Sequence, residues 1–271
     1  DSALKEDIGD GDHSTLSARP AGLKQEARLL IKDDGVIAGL QLAEMIFKRF
    51  DAELEVTHLK KDGDLVSEGE VGLIVKGNAR SILSTERLVL NCLQRMSGIA
   101  TYTRKMTDLI RHTKANLLDT RKTGPNFRIC EKWAVKIGGG ENHRFGLYDM
   151  VMLKDNHVDY AGSIAKAVAA TKKYLKENDK DLRIEVETRN LDEVQQALDA
   201  GGVDVIMLDN MLPSTMREAI QIIDGQCQTE ASGGITEKNI KEMAETGVDF
   251  ISVGALTHSY TSLDISLKAV K

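Results

Sequence analysis

The chain is short of cysteine, of aromatic residues and of long apolar runs, and each shortage excludes something. Its three cysteines, Cys92, Cys130 and Cys227, are odd in number and form no Cys-x-x-Cys pair. A disulfide framework and a cysteine zinc site are therefore not expected, and a reduced, cytoplasmic protein is. No apolar stretch approaches the roughly 18 residues of a membrane-spanning helix, so no such helix is expected. No basic-then-apolar leader opens the sequence, and because it starts at Asp1 a few native residues are expected to precede it. Aromatic residues make up 4% and the net charge is −6. A nucleic-acid binder wants the opposite, a basic surface with stacking rings.

What remains is an ordinary globular composition. Of 271 residues, 41% are hydrophobic and 29% charged, enough apolar content to rule out disorder as the main state. The length suits one large domain or two modest ones. The charge is unevenly spread. Residues 119–157 carry seven Lys/Arg and five Asp/Glu, a local +2, while the remaining 29 basic and 37 acidic residues make the rest −8. A basic island that also holds His143 and His157 inside an acidic chain points to a local anion site.

The first hundred residues read as short strands and turns. Glu26–Lys32 and Val36–Leu40 are expected as strands across the Asp33-Asp34-Gly35 turn, with Glu53–Leu59 and Val71–Val75 as further strands around Lys61–Asp64. Gln41–Phe50 is amphipathic and helical. Leu88, Cys92 and Met96 give Ser84–Met96 helical spacing, with a Ser or Thr cap near its start. Ser97-Gly98 is expected to break that helix from a second one running to about His112. Beyond residue 113, apolar runs alternate with helical patterns about six times, the mark of a parallel sheet. The segments from Ala200 (AGGVDVIMLD) and Thr246 (TGVDFISVG) resemble each other, as units of a barrel do. Six strands are too few for a regular eight-stranded barrel, so the expected fold class is α/β with an irregular, open barrel.

In such barrels ligands meet the carboxyl ends of the strands. Those ends read Arg121-Lys122-Thr123, Lys154-Asp155-Asn156, Glu187, Asp209-Asn210, Ser232-Gly233-Gly234 and Gly254-Ala255. Two are cationic, two acidic, and two small with free backbone N–H groups. The last pair suits a phosphate cradled by amides ahead of a helix at Thr236. Arg121, Lys122 and Lys154, with His143 and Arg144 in the loop feeding the second strand, are like charges that an anionic ligand would relieve. Glu187 and Asp209 suit ribose hydroxyls, a Mg²⁺ ion or a developing cation.

These residues stand in motifs that resemble quinolinate phosphoribosyltransferase, also called nicotinate-nucleotide pyrophosphorylase (carboxylating). The matching stretches are EDIGDGD from Glu6, NCLQRMSGIAT from Asn91, DTRKT from Asp119, GGGENHRFGL from Gly138, VMLKDNH from Val151, IEVE from Ile184, VIMLDN from Val205 and EASGGI from Glu230. They run in order over nearly the whole chain. The resemblance implies a type II phosphoribosyltransferase-like fold: an N-terminal α/β sandwich domain over 1–100, an α/β barrel over 101–255, and residues 256–271 returning to the first domain. It implies transfer of phosphoribosyl from phosphoribosyl pyrophosphate to quinolinate, with loss of CO₂ and with Mg²⁺, giving nicotinate mononucleotide in NAD biosynthesis.

The resemblance also implies roles. Arg121, Lys122, Thr123, His143, Arg144 and Lys154 bind the two quinolinate carboxylates, joined by Arg87 from the partner subunit of a homodimer. Lys154, Glu187 and Asp209 are the catalytic set, with Glu187 and Asp209 at the ribose and Mg²⁺. Ser232, Gly233, Gly234, Gly254 and Ala255 hold phosphate. Three positions depart from the family's usual pattern, Gly124 where threonine is usual, Asn126 where glycine is usual and Trp133 where tyrosine is common; Asn tolerates a left-handed backbone, so the turn survives. Asp155 and His157 are read as supports, His13 and Trp133 as structural, and the nine Met as core. Three competing functions are a barrel aldolase with a Schiff-base Lys154, a relative acting on nicotinate or another anion, and a biotinyl or lipoyl carrier suggested by KDGDLVSEGE from Lys61.

Overall fold

The computed structural model describes residues 1–270, and Lys271 lies outside the described residues. The chain divides into two compact units: Asp1–Arg104, Ile129–Gly139 and the chain from Tyr260 onward form unit 1, and Lys105–Arg128 with Gly140–Ser259 form unit 2. The chain opens with helices α1 (Ser2–Ile8) and α2 (His13–Ala18), strands β1 (Lys24–Ile31) and β2 (Gly35–Val36), helix α3 (Leu40–Phe50), strands β3 (Glu55–His58), β4 (Leu65–Val66) and β5 (Val71–Asn78), and helix α4 (Ala79–Ile110), all in unit 1 but for the end of α4 from Lys105. Strand β6 (Asn116–Leu118) begins the second sheet, and helix α5 (Arg128–Ile137) follows. Then come β7 (Val151–Leu153), α6 (Asp155–Ala161), α7 (Ile164–Glu177), β8 (Ile184–Thr188), α8 (Leu191–Ala200), β9 (Val205–Asp209), α9 (Pro213–Ile223), β10 (Gln228–Ser232), α10 (Ile240–Ala244), β11 (Phe250–Ser252), α11 (Ala255–His258) and β12 (Ile265–Ala269).

In unit 1 an antiparallel sheet runs in the order β12-β1-β5-β3. Alternation along β1 turns Ala27, Leu29 and Ile31 inward, where they meet Phe47, Leu73, Val75 and Leu93. The expected hairpin across Asp33-Asp34-Gly35 does not form. β1 pairs with β5 and β12, and β2 pairs with β4. Side-chain hydroxyls of α4 intercept the chain instead: Thr101 Oγ1 accepts from Val36 N–H and Ser97 Oγ from Ala38 N–H, both at 2.9 Å. The Lys61–Asp64 turn, the carrier-like motif, serves α3: Asp62 accepts from Leu40 N–H at 2.8 Å and so caps that helix.

Helix α4 runs unbroken for 32 residues through Ser97-Gly98, where a break was expected, and starts at Ala79, ahead of the expected cap. Gly98 is a packing requirement: a Cβ there would lie 2.2 Å from the Thr261 carbonyl oxygen. Helix α5 falls in unit 1, although in the sequence it follows the first barrel strand. Its Glu131 is fully buried and takes the Arg95 guanidinium of α4, whose other face lies 4.9 Å over the Tyr260 ring. A buried carboxylate needs such a partner, and that holds α5 in unit 1.

Unit 2 is a parallel sheet in the order β6-β11-β10-β9-β8-β7. The first strand lies beside the last, as in a barrel, and the row is open between β6 and β7. This is the open, irregular barrel expected from the six apolar runs. Strands such as β9 are buried nearly throughout, as helix-covered parallel strands are. No helix among the described residues is long and apolar enough to cross a membrane. All three cysteines are free, and burial pushes the Cys92 thiol up to about 11.

Candidate active site

The strand register of unit 2 sets out the site. Glu187, Met207 and Glu230 lie abreast on β8, β9 and β10, and Asp209 and Ser232 lie abreast one layer nearer the strand ends. Parallel partners in register present their side chains to the same face, and residues two apart on a strand share it. All five line a cavity of about 640 Å³ at the carboxyl ends of the sheet. Glu185, two residues before Glu187, lies one layer deeper and is fully buried.

Two aspartates shape the loop that brings cations to the cavity. Asp119, buried just past β6, accepts from Asn142 Nδ2 at 2.6 Å and from His143 N–H at 2.9 Å. Asp149 accepts from the backbone N–H groups of Phe145 and Gly146 at 2.6 and 2.9 Å. His143 and Arg144 are thereby fixed in the lining, beside Arg121, Lys122 and Lys154. The Arg121 Nε is buried without a hydrogen-bond partner. Burial and the neighbouring Arg121 charge both lower the pKa of Arg144. Two guanidiniums that repel each other, one with an orphaned N–H, mark a place built for an anion.

Lys154 has a protein partner, Glu187 Oε2 at 3.0 Å, and remains half exposed. Its backbone N–H donates to His157 Nδ1 at 3.0 Å, so His157 caps α6 and stays outside the lining, in keeping with a supporting role. Thr123 is also absent from the lining; its Oγ1 accepts from Arg128 Nε at 2.9 Å, and Thr120 is the threonine that faces the cavity. Asn126 adopts φ 60°, the left-handed backbone expected of it. Arg87 is exposed on α4 and is not part of the cavity.

The turns expected to hold phosphate take a form the sequence did not suggest. Gly233 and Gly234 follow one another at φ 89° and 62°. The helix expected at Thr236 begins at Ile240 and is five residues long, so these two glycines, and not a helix end, offer the amides. Asn239 closes the turn, donating to the Gly234 carbonyl at 3.0 Å. Gly254 leaves room for Lys122, whose Cδ would sit 2.8 Å from a Cβ there. Ala255 lines the same end, and so does His258, a histidine in a four-residue helix with no motif to announce it.

His143 meets a buried acidic pair. Its Nε2 lies 2.9 Å from Glu185 and 3.4 Å from Glu230. Burial works against the charged ring, but the two carboxylates outweigh it and raise the His143 pKa to about 9. Nδ1 accepts from Arg144 N–H at 2.7 Å only while the ring is neutral, so the charged form that the two carboxylates favour gives that bond up. Burial and the facing Glu230 raise the pKa of Glu185. Sequence reasoning missed Glu185 and Glu230. Their signal was there: Glu-x-Glu on β8 and Glu-x-Ser on β10 put acids on the face that already carried Glu187 and Ser232.

Glu185, Glu230 and His143 offer ligand atoms within 4.8 Å of one another. They are not the set expected for Mg²⁺, which takes oxygen ligands, because one of the three is an imidazole. Glu187 and Asp209 fit better. Both are oxygen donors on the cavity wall beside the Gly233-Gly234 turn, and Mg²⁺ is commonly held by one or two carboxylates together with substrate phosphate.

So many cations beside turns open enough for phosphate belong to an enzyme of phosphorylated, polyanionic substrates. The chain belongs to the quinolinate phosphoribosyl transferase family: residues 12–97 match its N-terminal domain and residues 99–268 its C-terminal domain. It is 46% identical over 281 residues to the chloroplastic nicotinate-nucleotide pyrophosphorylase (carboxylating) of Arabidopsis thaliana, covering 98% of this chain and 80% of that one. It is 43% identical over 262 residues to the probable nicotinate-nucleotide pyrophosphorylase (carboxylating) of Bacillus subtilis, covering 97% and 89%. The crystal structure of NadC from Streptococcus pyogenes matches with a TM-score of 0.93 at 40% identity, covering 100% of this chain and 95% of that one.

Proposed function

We propose that the cavity of unit 2 is where this enzyme transfers phosphoribosyl from phosphoribosyl pyrophosphate to quinolinate, releasing pyrophosphate and CO₂ and giving nicotinate mononucleotide. The observation that carries this is the cation cluster itself, with Arg121 Nε buried and unpartnered beside Arg144. Quinolinate brings two adjacent carboxylates, one for each side of the Arg121, Arg144, Lys154 and His143 group, with Lys122 at its edge. The phosphate end lies at Ser232, Gly233, Gly234, Gly254 and Ala255.

Departure of pyrophosphate leaves positive charge at ribose C1. Glu187 and Asp209, carried at the ends of β8 and β9, hold the ribose hydroxyls and stabilise that charge. The quinolinate nitrogen, positioned by its clamped carboxylates, attacks C1. The resulting pyridinium accepts the electron pair as the C–CO₂ bond breaks, and the ring carbon then takes up a proton. Mg²⁺ at Glu187 and Asp209 would supply charge to the departing pyrophosphate.

The same reading makes the active form a homodimer in which Arg87, an exposed cation outside the cavity of its own unit 2, completes the partner's site. It places the protein in the cytoplasm, an assignment that the free cysteines support. A Schiff-base role for Lys154 is not favoured, because Glu187 and water surround it where an aldolase lysine needs apolar neighbours. The test is incubation with quinolinate, phosphoribosyl pyrophosphate and Mg²⁺. Nicotinate mononucleotide, pyrophosphate and CO₂ should appear in equal amounts; their absence from folded protein would overturn the reading.

A further inference from the structure

Asn210 stands one residue past the end of β9 with φ 53°, a left-handed backbone that glycine would supply at no steric cost. An asparagine there needs a second reason, and its side chain gives one. Its Nδ2 donates to Asp209 Oδ2 at 2.7 Å. Because a carboxylate only accepts, the amide nitrogen must be the end that faces Asp209. Its other contact is with the phosphate turn. A Cβ on Gly233 would lie 2.3 Å from Asn210 Oδ1, 2.5 Å from Cγ and 2.8 Å from Nδ2, so the carboxamide lies flat against the Gly233 backbone. The Asn210 backbone N–H donates to the Ser232 carbonyl at 2.9 Å, joining the same turn from below.

We propose that Asn210 is a positioning residue that locks the Asp209 carboxylate to the Ser232–Gly234 turn, so that one side chain sets the spacing between the ribose and phosphate ends of phosphoribosyl pyrophosphate. The proposal rests on the reading of the cavity given above. Asp209 and Gly233 sit at the ends of neighbouring strands, and nothing in the ladder itself fixes the carboxylate's rotation. The Nδ2 bond engages Oδ2 and leaves Oδ1 to meet the sugar. Gly233 is glycine both for its φ of 89° and because any side chain would expel the carboxamide.

The test uses the unaltered protein and four variants: Asn210→Gly, Asn210→Asp, Gly233→Ala and the double variant Asn210→Gly with Gly233→Ala. Equilibrium dialysis measures phosphoribosyl pyrophosphate and quinolinate separately, steady-state kinetics gives kcat and each KM, and thermal melting monitors the fold. Asn210→Gly keeps the backbone and loses one hydrogen bond to a charged group, so phosphoribosyl pyrophosphate should bind about ten-fold more weakly, with its KM raised and kcat lowered. Quinolinate affinity should stay within about two-fold, since the amide touches none of its cations. Asn210→Asp, which keeps the shape but sets two carboxylates together, should lose more than Asn210→Gly. Gly233→Ala should weaken phosphoribosyl pyrophosphate too. Its backbone strain is common to the single and double variants, whereas its collision disappears when residue 210 is glycine, so the double variant should lose less than the product of the two single losses. Independent losses, equal losses for both substrates, or no change in phosphoribosyl pyrophosphate affinity would each overturn the proposal. Failure of the unaltered protein to bind phosphoribosyl pyrophosphate would instead overturn the reading of the cavity on which it rests.

Discussion

Replacing Glu187 by glutamine should separate binding from turnover. In the structure Glu187 has two tasks. It holds Lys154 Nζ at 3.0 Å, and in the proposed reaction it faces the ribose C1 that becomes positive. Unscreened at that separation the ion pair would be worth about 5 kcal/mol at an effective dielectric of about 20. The lysine side chain is 47% exposed, however, against 11% for the glutamate. Solvent screening reduces such a pair to about 1 kcal/mol. Quinolinate must draw Lys154 away from Glu187, so Glu187→Gln should leave quinolinate affinity unchanged or tighten it by up to about five-fold. Catalysis should move the other way. Loss of a fixed charge aimed at a developing cation costs about 10²-fold in kcat or more, about 3 kcal/mol. Asp209→Asn should behave likewise in turnover, without the gain in affinity, because no lysine is tied to it. Quinolinate dissociation constants and saturating turnover would be measured for both variants. If they lose quinolinate binding and keep kcat, the acids are substrate clamps and the assignment is wrong.

Nicotinate lacks one of the two carboxylates that the Arg121, Arg144, Lys154 and His143 group awaits, and leaves desolvated cations unpaired; its kcat/KM should be at least ~10²-fold below that of quinolinate, and equal turnover would refute the double-carboxylate site. Arg87→Ala and Lys154→Ala should each be nearly inactive, but unfolded and refolded together they should recover about a quarter of normal activity, because half the dimers are mixed and each has one intact site; mixed dimers without recovery would sink the shared site. His143 has its pKa raised from 6.5 to about 9 in the folded chain, so its contribution to stability is full below pH 6.5 and is lost as pH rises through 9. In urea unfolding, the advantage of the unaltered protein over His143→Gln should therefore shrink between those values, and an advantage that grows would contradict the Glu185 and Glu230 pairing.

What could be read from the sequence followed from local patterns. The six barrel strands stood out because a parallel strand buried on both faces is an apolar run, and their ends announced Arg121, Lys154, Glu187, Asp209 and Ser232 because a chain leaving such a sheet exposes its next residue to the site. The errors came where a distant partner overrides the local signal. Ser97-Gly98 looks like a break, yet the helix continues because Gly98 is needed by the Thr261 carbonyl and Ser97 by the Ala38 amide. Asp33-Asp34-Gly35 looks like a hairpin, yet the next amide goes to Thr101, 65 positions along the chain.

The same distinction runs through the site. Glu185 and Glu230 were readable as strand-face acids, but their service to His143 depends on a loop that Asp119 pulls into place from another strand. Thr123, expected in the substrate motif, lies outside the cavity lining and accepts from Arg128 Nε, a bond its sequence neighbours do not announce. His258 carried no pattern at all; it reaches the cavity only because Gly254 gives Lys122 and the short helix room to pack together, with Thr257 tied to the Lys122 carbonyl at 2.9 Å. Charge and periodicity therefore locate a site's cations and acids. The groups that orient them are found only through hydrogen bonds between segments far apart in sequence, and the pairing of Asn210 with both Asp209 and Gly233 is a case in which half of the arrangement is local and half is not.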